Sequence, residues 1–126
     1  YVSGCRNKCP GCQNPETWSF ANGSPYTRDI EDIIVSQVSK AHIAGLTICG
    51  GEPMEPENQE AIVSLVRRIK LETGKSIWCY TGYEFEDLMP NGKKYCDSTL
   101  CLLYNIDVLI TGRYIEAEKE APLRKF

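Results

Sequence analysis

Three short apolar runs, at 46–49, 76–81 and 106–110, each follow a segment of helical periodicity and each end at a glycine-bearing turn. This alternation constrains the fold more than any other feature of the chain. Two strands that run the same way need a crossover of a dozen or more residues, usually a helix. Strand–turn–helix alternation therefore predicts parallel strands joined by right-handed crossovers in an α/β domain. In such folds ligands collect at the carboxyl ends of the strands. The expected strand ends carry Gly50-Gly51-Glu52-Pro53, Gly82-Tyr83 and Thr111-Gly112. A further strand end over 1–4 delivers a cysteine-rich loop to the same edge.

The helices follow from spacing. Over 29–44, Ile30, Ile33, Ile34, Val38 and Ala41 form one stripe of a 3.6-residue period. Thr27 is the expected N-cap and Gly45 the terminator. Over 57–72, Ile62, Leu65, Val66 and Ile69 make the inner face, and Gly74 closes the helix. Glu57 and Glu60 at its start and Arg67, Arg68 and Lys70 near its end suit the helix dipole. A short helix is expected over 84–88 and another over 97–104. The segment 13–26 is rich in Asn, Pro, Gly and Ser and reads as an ordered loop anchored by Trp18 and Phe20. Beyond Thr111 the chain is charged and irregular, and the run at 116–120 reads as a solvated segment.

With 126 residues and 42% hydrophobic content, the chain is expected to bury one core. A net charge of −3 leaves no basic face for a nucleic acid. No apolar run approaches the ~20 residues of a membrane-spanning helix. The seven cysteines are odd in number, and three of them fall close together. That pattern fits metal-binding thiols in a reducing cytoplasm better than a disulfide scaffold.

Cys5, Cys9 and Cys12 are spaced C-x3-C-x2-C. Thiolates are soft donors that suit iron–sulfur clusters or zinc. Three of them can hold three irons of a [4Fe–4S] cube and leave the fourth open. Pro10 and Gly11 favour the turn that this requires. The alternative is structural zinc, with Cys49, Cys79 or His42 as fourth ligand. Zinc motifs usually pair two C-x2-C knuckles, and there is no second one here. Gly50 and Gly51 offer backbone N–H groups with little bulk, Glu52 adds a carboxylate, and Pro53 stiffens the turn. Such a turn suits a zwitterion, although an ordinary βα glycine turn has the same composition. Cys49 and Cys79 read as small core residues, Cys96 and Cys101 as incidental residues flanking a helix turn, and His42 as a surface residue near a helix end. Trp18, Trp78 and Tyr83 read either as core or as contacts for a nucleoside or a partner.

Taken together, the two motifs resemble the radical S-adenosylmethionine superfamily. The fuller resemblance is to the family that activates the anaerobic (class III) ribonucleoside-triphosphate reductase. It rests on Val2-Ser3-Gly4-Cys5 leading to Cys9-Pro10-Gly11-Cys12, on Asn14 and Thr17-Trp18, and on Gly50-Gly51-Glu52-Pro53. Further along it rests on Trp78, on Tyr80-Thr81-Gly82-Tyr83, and on Ile106-Asp107-Val108-Leu109 ahead of Gly112. The resemblance spans essentially the whole chain. It implies a single domain over 1–126, a partial, open parallel (β/α) barrel. The family's strand and glycine-rich turn ahead of Tyr1, and its short polar tail after Phe126, are expected to be lacking.

The resemblance also implies a chemistry. Cys5, Cys9 and Cys12 would bind a [4Fe–4S] cluster whose free iron chelates the amino and carboxylate groups of S-adenosylmethionine. One electron would break the C5′–S bond, giving methionine and a 5′-deoxyadenosyl radical. That radical would take a hydrogen atom from a glycine Cα in the large subunit of the anaerobic ribonucleotide reductase. Gly11, Cys12 and Gln13 would face the adenine side, and Gly50, Gly51 and Glu52 would hold the methionine amino group. An electron donor such as flavodoxin is the second implied partner. Rival readings are an activase of another glycyl radical enzyme, such as a formate-lyase, a small-molecule enzyme of the superfamily, or a non-catalytic zinc or iron–sulfur module. Three positions depart from the family pattern. Gln13 stands where an aromatic is common, Glu52 replaces a frequent Asp while keeping the carboxylate, and Thr111 replaces an Asp before Gly112.

Overall fold

A computed structural model describes residues 1–115, so the charge run at 116–120 lies outside the described residues. Helix α1 spans Arg28–Val38, strand β1 Gly45–Ile48, helix α2 Pro56–Thr73, strand β2 Ser76–Tyr80, helix α3 Thr99–Asn105 and strand β3 Val108–Ile110. Single 3₁₀ turns cover Pro15–Trp18 and Phe85–Leu88. The strands form one sheet in the order β1-β2-β3, and both pairings are parallel, as the alternation predicted. The result is a mixed α/β fold.

Register divides the sheet into two faces. Leu46 pairs with Ile77, and Ile48, Cys79 and Leu109 lie in one row. This face packs against Val35 and Val38 of α1, Ile62, Leu65, Val66 and Ile69 of α2, and Leu102 of α3. Burial pushes the Cys79 thiol up to about 12, as befits a small core residue. The opposite face carries Thr47, Trp78 and Val108 in one row and Tyr80 beside Ile110 in the next. Trp78 and Tyr80 remain 44% and 45% exposed there.

Helix α2 matches its expected face residue for residue. Gly74 ends it in the left-handed region at φ 65°, where its N–H reaches the carbonyls of Ile69 and Lys70, both at 3.1 Å. Helix α1 starts as expected, with the Thr27 hydroxyl accepting from Ile30 N–H at 3.3 Å. It ends at Val38, however, not near Ala44. Lys75 explains the early stop: its ammonium donates to the Val38 carbonyl at 2.6 Å and to the Lys40 carbonyl at 2.5 Å. These carbonyls would otherwise continue the helical ladder or go unpaired. Gly45 instead opens β1, where an added Cβ would overlap the Ser76 carbonyl of the neighbouring strand. His42 is exposed in the turn between them.

The inner stripe of α1 also differs. Ile33 is largely exposed, while Val35 and Glu31 are buried. Glu31 faces inward because α2 supplies partners: its carboxylate accepts from Arg68 at 3.1 Å and Ser64 at 3.0 Å, and from Tyr26 at 2.9 Å. Burial pushes the Glu31 carboxyl upward, but the bonds from Arg68, Tyr26 and Ser64 outweigh it and hold the group below its ordinary 4.5. A folded-state value below the unfolded one stabilises the fold above that pH and is lost as pH falls through the folded value. Urea midpoints measured from pH 6 down to pH 3 are therefore expected to fall more steeply in the wild type than in Glu31→Gln. Equal slopes would rule this contribution out.

Smaller corrections fall at the ends of the elements. The expected strand over 1–4 is reduced to an isolated parallel bridge between Val2 and Gly50. Cys49 lies just past β1 and is half-buried rather than in the core. β2 stops at Tyr80, because the Thr81 side chain turns to the loop after β1. α3 starts at Thr99, whose hydroxyl accepts from Cys96 N–H at 2.9 Å and donates to Gln59 at 2.6 Å. Cys101 thus lies inside a helix, and Cys96 ahead of it. β3 is trimmed to three residues.

Candidate functional site

The loops that leave the carboxyl ends of the strands are stitched to one another. Val2 N–H donates to the Cys49 carbonyl at 2.9 Å, and Gly51 N–H donates back to Val2 at 2.8 Å. Glu52 N–H donates to the Gly4 carbonyl at 2.8 Å, and Gly112 N–H to that of Tyr83 at 3.3 Å. From the other side, Gly4 and Cys5 N–H groups donate to the Thr17 and Trp18 carbonyls at 2.7 and 3.1 Å. The cysteine loop is thereby held between the 3₁₀ turn and the glycine turn. Gly51 is required at this crossing: a Cβ there would lie 2.7 Å from the Thr17 carbonyl oxygen and 2.8 Å from that of Gly4. Gly4, at φ 108°, leaves room for the Phe20 ring, which a Cβ would strike. Phe20 thus anchors the loop as expected, whereas Trp18 does so through its backbone.

Cys5, Cys9 and Cys12 are free, half-buried thiols on this one loop. Lys8 at φ 47° and Gly11 at φ 73° turn the chain between them, and Cys12 N–H closes on the Cys9 carbonyl at 3.1 Å. Burial raises the Cys5 thiol, opposed by the backbone N–H groups of Asn7 and Lys8. Among the described residues no three His, Cys, Asp or Glu side chains converge as a metal-binding group. The loop gathers three soft donors at one end of the fold without closing them on a point. That donor set, with backbone N–H groups turned toward a sulfur, suits an iron–sulfur cluster. Of the candidate fourth zinc ligands, Cys49 follows β1 with its carbonyl bonded by Val2 N–H, and the other two lie apart from the loop. Cys79 is buried in β2, and His42 precedes β1 at the opposite edge of the sheet.

Glu52 is 1% exposed and points into the fold. One oxygen accepts from Gly82 N–H at 2.6 Å and Asn7 Nδ2 at 3.5 Å, the other from Met54 N–H and the Thr81 hydroxyl, both at 2.8 Å. Burial pushes its carboxyl above the ordinary range, against the pull of Met54, Gly82 and Thr81. Its carboxylate joins the glycine turn, the cysteine loop and the turn after β2. Asn7 Oδ1, next to it, is a buried acceptor with no partner among the described residues. Gly11 and Gln13 are exposed, and Gly50 and Gly51 are half-buried beside Val2 and Gly4.

A second buried carboxylate, Glu55, escaped the sequence reading. It is fully buried and accepts from Arg6, Tyr83 and Lys94. Burial pushes it upward, but Tyr83, Arg6 and Lys94 hold it below the ordinary carboxylate range. Burial and Glu55 together push the Tyr83 phenol well up. The only hint in the sequence is a charge between two prolines, Met54-Glu55-Pro56 following Pro53, which marks no partner.

Residues 1–126 match the family model described as a 4Fe-4S single cluster domain. Several curated relatives match nearly the full chain. An anaerobic ribonucleoside-triphosphate reductase-activating protein of Vibrio cholerae is 40% identical over 126 residues, covering 98% of this chain and 77% of its own length. The protein of that name from Enterobacteria phage T4 is also 40% identical, covering 99% of this chain and 73% of its own length. That of Escherichia coli K12 is 36% identical, with 98% and 77% covered. No solved structure matches.

Proposed function

The chain belongs to the family of anaerobic ribonucleoside-triphosphate reductase-activating proteins, and from that premise we propose a radical S-adenosylmethionine activase. Its role is to generate a glycyl radical on the large subunit of the anaerobic ribonucleotide reductase. One observation carries the reading: the three-cysteine loop and the Gly50-Gly51-Glu52 turn are hydrogen-bonded to each other at the carboxyl edge of a parallel sheet.

Cys5, Cys9 and Cys12 are the residues to hold a [4Fe–4S] cluster. A cluster held there would supply the one electron that cleaves the C5′–S bond of S-adenosylmethionine. The protein's own residues supply position and exclusion of water. Gly50 and Gly51 let the backbone come close to the methionine end, and Glu52 adds negative charge behind them that favours an ammonium. Asn7 Oδ1, beside Glu52, is an acceptor with no partner among the described residues. Gly11, Cys12 and Gln13 are the adenine-side segment. Gln13 offers an amide in place of a stacking ring. The uncovered sheet face with Trp78 and Tyr80 fits the inner wall of a partial, open parallel barrel, whose open side admits a glycine loop. The same reading takes 1–126 as one radical S-adenosylmethionine domain that works in the cytoplasm with an electron donor such as flavodoxin. No helix of the described residues is long and apolar enough to cross a membrane.

Anaerobic reconstitution tests the proposal in steps. The loaded protein should absorb broadly near ~400 nm, as thiolate-ligated clusters do, and release 5′-deoxyadenosine under reduction. An EPR doublet from a glycyl radical should form only when the reductase is present. A colourless protein holding one zinc ion would overturn the reading in favour of a binding module.

A further inference from the structure

Glu55 is the N-cap residue of α2, yet its side chain makes no cap bond to that helix. Asn58 N–H, at the position a cap side chain usually serves, donates instead to the Glu55 backbone carbonyl at 2.8 Å, which leaves the carboxylate for other partners. It turns instead to the cysteine loop. The Arg6 guanidinium donates to Glu55, and the Arg6 N–H reaches the same carboxylate at 3.4 Å. The guanidinium also forks onto Glu57, with both bonds at 3.0 Å, and lies 4.5 Å from the centroid of the Phe20 ring. On the far side of Glu55, Tyr83 donates from the turn after β2 and Lys94 from the following loop, at 3.2 Å for the lysine. One arginine, directly after the first cysteine, thus ties the loop to the start of α2 and to the ring packed on Gly4.

We propose that Arg6 is a positioning residue: clamped by Glu55 and Glu57, it fixes the cysteine loop on α2. The proposal rests on the assignment of Cys5, Cys9 and Cys12 as cluster ligands. A planar guanidinium suits the task because it can serve two carboxylates and a ring face together, which an ammonium cannot. The loop's placement also bears on redox behaviour, because a cluster's potential depends on the hydrogen bonds and solvent exposure around its sulfurs.

The test has one arm that needs no cluster. In reduced, metal-free protein, the alkylation rates of Cys5, Cys9 and Cys12 are followed by mass spectrometry. Arg6→Met should raise them about fivefold, the modest effect of a half-exposed ion pair. Arg6→Lys, which keeps the charge and loses the fork, should fall between. Arg28→Met, which removes an exposed arginine from α1, should match the wild type. In the loaded protein, an EPR-monitored titration should find the cluster potential shifted in Arg6→Met and shifted less in Arg6→Lys. Wild-type alkylation or wild-type potential in Arg6→Met would overturn the clamp. Failure of the wild type itself to load a cluster would instead count against the proposed function, and the alkylation arm would still decide whether Arg6 holds the loop.

Discussion

Cys9→Ser is expected to give a stable, folded protein that neither retains a cluster nor cleaves S-adenosylmethionine. Cys9 is half-buried, and the hydrogen bonds that fix its loop involve backbone atoms, such as the Cys9 carbonyl bonded by Cys12 N–H. Exchanging sulfur for oxygen leaves those bonds in place, so unfolding free energy should change by no more than about 0.5 kcal/mol. The donor set changes completely. A hydroxyl is a hard donor and is not ionised at neutral pH, whereas a thiolate is soft and charged. Loss of an outer hydrogen bond to a metal ligand typically costs ~10–100-fold in affinity or activity, and loss of a ligand should exceed that. Iron content, absorbance near ~400 nm and 5′-deoxyadenosine release should fall together in Cys5→Ser, Cys9→Ser and Cys12→Ser. A Cys9→Ser protein that keeps its iron and its turnover would remove Cys9 from the ligand set. The same substitution at Cys96, which lies against Gln59 and Thr99 away from this loop, should leave all three readouts intact.

The second large effect belongs to Glu52, and it should appear first in stability. Glu52→Ala strands Met54 N–H, Gly82 N–H and the Thr81 hydroxyl, whose bonds to the carboxylate are 2.6–2.8 Å long. A buried donor left without a partner costs about 1–3 kcal/mol. With three of them partly relieved by entering water, a loss of about 3 kcal/mol or more in urea-derived unfolding free energy is expected. Glu52→Gln keeps the shape but sets an amide NH₂ against at least one of those donors, so it should cost about 1.5–3 kcal/mol, the range for charged hydrogen bonds. Both variants should also loosen the cysteine loop, since Asn7 shares the carboxylate. If Glu52→Gln proved as stable as the wild type and lost only cofactor affinity, Glu52 would be a ligand contact and not a latch between loops.

These two residues also show how differently parts of the site could be read in advance. The cysteines were legible because metal chemistry depends on residue type and short-range spacing, both of which are written locally. Glu52 was legible as a carboxylate in a glycine turn, but the direction it faces was not. That direction depends on Thr81 and Gly82, some thirty residues away in sequence. Glu55 and Arg6 were not legible at all. Nothing in Cys5-Arg6-Asn7 announces a partner at position 55, because an ion pair between distant segments leaves no periodic trace. The same limit explains α1. Its start was marked by a local threonine cap, whereas its end was set by Lys75, a residue from the loop before β2.

The sequence by itself determined the parallel order of the strands, the inner face of α2 and the gathering of cysteine and glycine loops at one sheet edge. Those properties follow from hydrophobic period and from glycine's freedom in tight turns, which act over a few residues. Tertiary structure alone decided which charges are buried. Glu31, Glu52 and Glu55 can leave water only where Arg68, Thr81, Gly82, Arg6 and Lys94 arrive from other elements to replace it. The cysteine loop owes its chemistry to the first kind of information, and its place against α2 to the second.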